Sequence, residues 1–473
     1  MDESENKNSV HSSQFTTHRP IPYGRQHITE EDIAAVVKVL KSDWLTQGPK
    51  IAEFEQAFAE HIGSKYAVAV SNGTAALHLC TLALGVKPGD KVITTPITFA
   101  ASANCVRYAG GDVVFADIDP ETYLLEINEV EKLLKAAPKG TYKGIIPVDF
   151  AGRAVDLEAF RKLADEYGLW IIEDACHAPG GYFVDSKGQK QNCGNGNFAE
   201  LAIFSFHPVK HIAAGEGGMI TTNNEALYKK LLLLRTHGIT REQEAFKNTM
   251  EFAEGSKQLT VNSEQEEVSS EPLTVNRSPF TVHSSPFTEY PGWYMEMQEL
   301  GFNYRLTDFQ AALGLSQLKR ADEGLQKRKE IAQRYSDAFG RLTVNSKQKT
   351  GKSEQEKVHR SPFTEYTVHR SPFTVHSSPF TDSGHAFHLY IIETEQRKEL
   401  YDHLRKHNIF AQVHYIPVHL MPYYRQFGWK EGDLPNAERY YSHCLSLPMY
   451  PTLTEEEQLF VISQINSFYN QNP

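Results

Sequence analysis

A lysine, an aspartate and a serine stand where groups capable of joint chemistry could meet. Lys210 lies in Phe204-Ser205-Phe206-His207-Pro208-Val209-Lys210-His211, with a glycine-rich stretch, Gly215-Glu216-Gly217-Gly218, just beyond. Upstream, the apolar run Leu169-Trp170-Ile171-Ile172 is entered from Gly168 and left through Glu173-Asp174. A run of that length reads as a buried strand with Asp174 at its carboxyl end. A second run, Leu201-Ala202-Ile203-Phe204, delivers Ser205 and Lys210 to a neighbouring strand end. Open α/β sheets bind ligands at the carboxyl ends of their strands. An acid, a hydroxyl and a lysine in one crevice are what a pyridoxal 5'-phosphate enzyme requires.

The chemistry explains the residue types. The cofactor works as an electron sink while its ring nitrogen is protonated, and a buried carboxylate, the role open to Asp174, holds that proton. A lysine binds the aldehyde covalently and then serves as acid and base at the substrate carbon. A phosphate dianion asks for free N–H groups at a helix start and for hydroxyl donors. Spacing alone leaves Lys210 one lysine among many, most of them solvated surface groups.

Four motifs in order narrow the choice. They are Ser71-Asn72-Gly73-Thr74-Ala75-Ala76-Leu77, Glu173-Asp174-Ala175-Cys176-His177-Ala178, Ser205-Phe206-His207-Pro208-Val209-Lys210, and Gly301-Phe302-Asn303-Tyr304-Arg305-Leu306-Thr307-Asp308. Together they resemble the sugar aminotransferases of the DegT/DnrJ/EryC1/StrS family, over nearly all of residues 21–473. The wording is nearest to the branch that forms UDP-4-amino-4,6-dideoxy-N-acetyl-altrosamine on the way to pseudaminic acid.

The resemblance implies a pyridoxal-phosphate transferase of fold type I: a mainly parallel seven-stranded sheet with helices on both faces, plus a small C-terminal α+β domain. It implies that Lys210 is catalytic, that Gly73, Thr74 and Ser205 cradle the phosphate, and that Phe99 and His177 lie against the ring whose nitrogen faces Asp174. It implies that Asn303 reaches the cofactor phosphate of a partner subunit, giving a homodimer with shared active sites. Tyr23, Trp44, Leu45, Thr46, Tyr304, His414 and Tyr415 would touch the sugar nucleotide. The expected reaction moves an amino group from L-glutamate to C4 of a UDP-linked 4-keto-6-deoxy-N-acetyl hexose. Some relatives carry histidine in place of the lysine and dehydrate the sugar instead; Lys210 favours the aminotransferase. A sugar dehydratase and a non-catalytic sugar-nucleotide binder are the competing readings.

Composition sets outer bounds. At 473 residues and 40% hydrophobic, the chain can bury a large core. A net charge of −11 argues against nucleic-acid binding. No apolar run approaches a membrane span, and the first twenty residues lack a signal core, so a cytoplasmic protein is expected. Five scattered cysteines suggest neither a disulfide framework nor a metal site, and fit a reducing compartment.

The elements that must position the site follow from periodicity. Thr29 caps a helix with Ile33, Val36, Val37 and Leu40 on one face, broken at Asp43–Pro49. Tyr66–Val70, Lys91–Pro96, Val113–Asp117 and Gly144–Val148 read as strands, and a helix from Asp156 stops at Gly168. Taken alone, Ser71–Thr74 is an ordinary strand-to-helix turn and Phe99 a core aromatic. Such alternation predicts a parallel sheet covered on both faces.

The expected division is a disordered tail over 1–20, a large cofactor domain over 21–249, a helix returning to it over 291–323, and a small domain over 324–343 and 384–473. Residues 250–290 and 344–383 read as insertions, because Arg277–Thr288 recurs identically at Arg370–Thr381 and Leu259–Gln265 recurs nearly intact at Leu342–Gln348. Such Ser/Thr/Pro tracts bury too little apolar surface to fold alone.

Overall fold

The computed structural model describes residues 19–248, 290–343, 373–374 and 384–471. The two expected insertions lie outside them except for Tyr290 and Phe373–Thr374. The latter pair form a two-residue strand against Glu393–Thr394, where an edge offers unpaired backbone groups. The described residues up to Leu231 and from Tyr304 onward form one compact unit, and Leu232–Asn303 belong to a second.

In the first unit the central sheet has seven strands: β1 (Tyr66–Val70), β2 (Lys91–Thr94), β3 (Asp112–Phe115), β4 (Tyr142–Ile146), β5 (Trp170–Asp174), β6 (Leu201–Ser205) and β7 (Gly218–Thr222). Their order is β1-β7-β6-β5-β4-β2-β3. Only β7 runs against its neighbours, pairing antiparallel with β1 and β6. Every other pairing is parallel. The fold is therefore the mainly parallel, fold type I sheet expected from the sequence.

Helices cover both faces because the strands are apolar on both. Along β1, Ala67 and Ala69 pack with Phe54 and Phe58 of α2 (Pro49–Ile62), while the alternate residues Val68 and Val70 are also fully buried. The helix after β1, α3 (Gly73–Ala83), is capped by Asn72, whose side chain accepts from the Ala75 N–H. The helix before β5, Leu157–Tyr167, is capped by Asp156 and stopped by Gly168 in the left-handed region. C-terminal to these, Tyr390–Thr394 and Cys444–Leu447 pair antiparallel. Ala321–Thr343, Arg397–Lys406 and Glu455–Gln471 supply helices around a core that includes Tyr335, Ile392, Leu400, Leu445 and Ile465.

The helix expected after Thr29 forms, and its apolar face is left uncovered. The first helix, Glu30–Leu40, buries Asp32 and Val39, while Ile33, Val37 and Leu40 on its apolar stripe stand exposed. Asp32 is held instead by Arg320 at 2.6 Å and by Gln317. The stripe marks an apolar surface of the single chain, continued by exposed Trp44 and Leu45.

Strand β7 owes its position to a missing side chain. Gly218 pairs in register with Val70, and a Cβ there would meet the Asn72 carbonyl carbon and oxygen at 2.7 Å. Backbone cannot yield as a flexible side chain can. Gly218→Ala is therefore expected to destabilise the fold by about 1–3 kcal/mol, read as a lower denaturant midpoint at unchanged slope.

Candidate active site

Three strand ends and one C-terminal loop enclose a cavity of about 810 Å³. Its lining includes Gly73 and Thr74 after β1, Asp174 at the end of β5, and Ser205 and Lys210 at and after β6. Tyr23, Phe99, His177, Tyr304, His414 and Tyr415 complete the set of expected residues found there.

Asp174 is the best-anchored group. The Ser102 hydroxyl donates to its Oδ2 at 2.6 Å, and the Cys176 N–H donates to Oδ1 at 3.2 Å. Because Ser102 spends its proton on Asp174, the hydroxyl of Thr98, 2.8 Å away, must donate to Ser102. Neither Ser102 nor Thr98 was singled out from the sequence. Both are common hydroxyl residues beside the start of a short helix, and only folding brings them to β5.

Lys210 follows a turn in which its N–H donates to the His207 carbonyl at 2.8 Å. Burial lowers its pKa; the Cys176 and Asp174 groups oppose that shift, and the Arg328 guanidinium adds to it. The amine is thus closer to its neutral, nucleophilic form than a surface lysine.

Phosphate-binding capacity sits at α3. The first N–H groups of a helix have no intrahelical acceptor, and Gly73 and Thr74 occupy that position on the cavity wall. A Cβ on Gly73 would lie 3.1 Å from the Ser205 Cβ, so glycine lets the helix start approach the Ser205 hydroxyl closely. This cradle, the anchored carboxylate and the lysine fit pyridoxal 5'-phosphate.

Burial holds His177, His414 and Tyr415 in their neutral forms. His177 Nδ1 accepts from the Ala151 N–H at 3.3 Å, which assigns the ring proton to Nε2, facing the Tyr415 hydroxyl at 3.3 Å. The His177 ring lies 4.2 Å, centroid to centroid, from that of His388. Burial, then the charge of Lys210, keeps the His177 pKa well below the ordinary histidine value. Burial, again with Lys210, lowers His414 to about 3. Burial raises Tyr415 far above the ordinary phenol value. His414 is fixed by Ser446 at 3.0 Å, and Tyr304 Oη lies 3.2 Å from His78 Nδ1.

Four expected residues are elsewhere. Trp44 and Leu45 are exposed, and Thr46 bridges Thr307; none of the three lines the cavity. Asn303 belongs to the second unit, where it bridges Thr236.

Comparison with known proteins identifies the family. Residues 26–466 match the model of the DegT/DnrJ/EryC1/StrS aminotransferase family. The chain is a member of that family. It is 36% identical over 453 residues to the spore coat polysaccharide biosynthesis protein SpsC of Bacillus subtilis, covering 94% of this chain and 96% of that one. It is 34% identical over 445 residues to the UDP-4-amino-4,6-dideoxy-N-acetyl-beta-L-altrosamine transaminase of Campylobacter jejuni, covering 93% and 95%. Among solved structures it resembles Helicobacter pylori PseC, an aminotransferase of pseudaminic acid biosynthesis, with a TM-score of 0.71 and 27% identity over 96% of this chain and all of that one. The aminotransferases of this family use pyridoxal phosphate and act on nucleotide sugars, and this chain is such an enzyme.

Two outcomes follow from the site's contacts. Losing the charge-assisted bond to Asp174, worth about 1.5–3 kcal/mol, Ser102→Ala should lower kcat by about ten- to a hundredfold with little change in substrate KM. Acid titration tests the buried histidines. With a folded pKa below the unfolded 6.5, His414 stays neutral in the fold, so its stabilising contribution is present above pH 6.5 and is lost as pH falls toward 3. His414→Asn should flatten the acid limb of the stability curve by up to about 1.4 kcal/mol per pH unit across that window.

Proposed function

We propose that this aminotransferase moves the amino group of L-glutamate to C4 of a UDP-linked 4-keto-6-deoxy-N-acetyl hexose, giving UDP-4-amino-4,6-dideoxy-N-acetyl-altrosamine or a close relative. The observation that carries this reading is one cavity holding Lys210, the Ser102-anchored Asp174 and the start of α3, with a wall of Tyr23, Tyr304, His414 and Tyr415. The similarity to an altrosamine transaminase supports the sugar assignment.

Bound pyridoxal phosphate supplies an electron sink for the pair left behind when a proton leaves the carbon bearing nitrogen. Asp174 would hold the proton of the ring nitrogen, and Ser102 with the Cys176 N–H fixes that carboxylate. The N–H groups of Gly73 and Thr74 and the Ser205 hydroxyl hold the phosphate. Phe99 and His177, both on the cavity lining, would lie against the ring. Lys210 would hold the cofactor aldehyde. The Lys210 Nζ would be the base that takes the proton from the glutamate α-carbon and the acid that returns a proton to C4 of the sugar. Neutral His177 and His414 place no positive charge beside Lys210 that would lower its basicity. Tyr23, Tyr304, His414 and Tyr415 orient the sugar.

The same reading includes a homodimer. Exposed Ile33, Val37, Leu40, Trp44 and Leu45 offer an apolar surface for a second copy. Across it, Trp44, Leu45 and Thr46 would serve the sugar nucleotide of the other copy, and Asn303 its cofactor phosphate. A cytoplasmic setting is supported by five free cysteines and by the lack, among the described residues, of a helix long and apolar enough to cross a membrane.

Lys210→Ala should abolish both turnover and the visible absorbance of the lysine-bound cofactor; a variant that still transaminates overturns the assignment. Adding L-glutamate alone to the wild type should bleach that absorbance and release a keto acid, which neither a dehydratase nor a simple binder would do without sugar. A panel of UDP- and dTDP-linked 4-keto sugars then tests the acceptor, with the UDP-linked 4-keto-6-deoxy-N-acetyl hexose expected to give the highest kcat/KM. A chain that sediments as a monomer at full activity would rule out shared active sites.

A further inference from the structure

Next to Asp174 in the chain and sheet, but not on the cavity lining, three ionisable side chains are buried together. Asp149 follows β4, Glu173 is the penultimate residue of β5, and Cys193 precedes Gly194; one donor atom from each lies within 4.8 Å of the others. Asp149 is fully buried, and Glu173 and Cys193 are only 2% exposed. The Val155 N–H donates to Asp149 Oδ1 at 2.8 Å, and the Gly194 N–H is shared by both Glu173 oxygens at 2.9 Å. Asp149 Oδ2 has no N–H or hydroxyl donor. Two carboxylates buried this close repel one another and are poorly solvated, and a proton shared between them removes that cost.

We propose that Asp149 and Glu173 share one proton, carried by Glu173 and donated to Asp149 Oδ2, and that this bonded pair positions Asp174 and His177. The assignment of the proton follows from the donors. Asp149 can accept from the Val155 N–H, the Cys193 S–H and the Glu173 O–H, which suits the anion; Glu173 has a single N–H and suits the acid. The titratable groups facing the pair are Cys193, Asp174 and the two carboxyls themselves. Burial, reinforced by the Asp149 charge, pushes Glu173 well above the ordinary carboxyl value. Burial brings Asp149 up to about 7, against the bonds from Val155, Glu173 and Cys193. A divalent metal is the weaker occupant. It would draw its ligands to about 2.0–2.3 Å and compete with the N–H groups already bonded to both carboxyls.

The positioning role follows the backbone. The Asp149 N–H donates to the Asp174 carbonyl at 3.0 Å, and the Asp174 N–H donates to the Pro147 carbonyl at 2.9 Å. Two residues beyond Asp149, Ala151 holds φ = 60° and gives its N–H to His177 Nδ1. Tying Asp149 to Glu173 therefore fixes the turn that sets the His177 tautomer, beside the strand that carries Asp174. This role rests on the cofactor site proposed above; the shared proton does not.

Infrared spectroscopy of the holoenzyme separates the two. The wild type minus Glu173→Gln difference spectrum near neutral pH should contain the band of a protonated carboxylic acid, and elemental analysis should find no stoichiometric metal. The amide introduced by Glu173→Gln can make the same donation to Asp149 without titrating. With a folded Glu173 pKa above its unfolded value, wild-type stability falls relative to Glu173→Gln as pH rises, by up to about tenfold in the folding constant per pH unit. Glu173→Gln should keep kcat within a few-fold, whereas Glu173→Leu, unable to donate, should lower kcat with KM little changed. Absence of the acid band, or one equivalent of bound metal, overturns the shared proton whether or not the enzyme transaminates. An intact kcat in a folded Glu173→Leu overturns the positioning role alone. If neither variant folds, the wild-type band near neutral pH and the metal content still decide the shared proton.

Discussion

A buried carboxylate held by hydroxyl and amide donors is the interaction on which the site depends. Asp174 ends β5 on the lining of the cavity, and the Ser102 hydroxyl meets its carboxylate at 2.6 Å. Hydrogen bonds of that kind fix the direction of a carboxylate without neutralising it. A neighbouring arginine would do the opposite and leave little charge for a pyridine nitrogen. The relay from Thr98 through Ser102 thus keeps an oriented negative charge available to a cationic ring.

Around that charge the protein arranges groups that stay neutral. His177, His211 and His388 are all held well below the ordinary histidine value, chiefly by burial. Were any of them cationic, they would repel a protonated Lys210 and compete for the field of Asp174. Burial lowers Lys210 as well, but Cys176 and Asp174 limit the change. The low dielectric that makes an unpaired charge costly also keeps the surrounding imidazoles uncharged, so one physical cause sets both the lysine and its neighbours.

Much of this was legible in the sequence where chemistry and local pattern coincide. The apolar runs into Asp174 and Ser205 located two strand ends, Asn72 and Gly73 the start of α3, and Gly168 a helix stop, because each depends on residues adjacent in the chain. Ser102 was not legible, since its bond to Asp174 spans 72 residues and a serine near a helix start has many ordinary uses. Asp149 and Glu173 escaped for the same reason: each looks solvent-facing until β4 and β5 lie side by side. The stripe of Ile33, Val37 and Leu40 shows the converse limit. Periodicity reports that a face avoids water, and is silent on whether the same chain covers it.

The C-terminal segments enter the site through a second buried charge. Arg328, 1% exposed, lies on the long helix Ala321–Thr343, and its Nη1 reaches the carbonyls of Phe387, His388 and Met449 at 3.4, 3.4 and 3.0 Å. A guanidinium bonded only to carbonyls keeps its full charge, so it acts as both clamp and field source. As a clamp it holds the 387–389 segment, whose N–H groups at His388 and Leu389 donate to the Ala151 carbonyl. Ala151 in turn gives its own N–H to His177, and the His388 ring lies beside the same imidazole. As a field source Arg328 disfavours protonation of Lys210, His211 and His388 together. One cation therefore joins the C-terminal segments to the sheet and biases the site toward neutral nitrogen bases, which is the state a lysine needs before it can bond to an aldehyde.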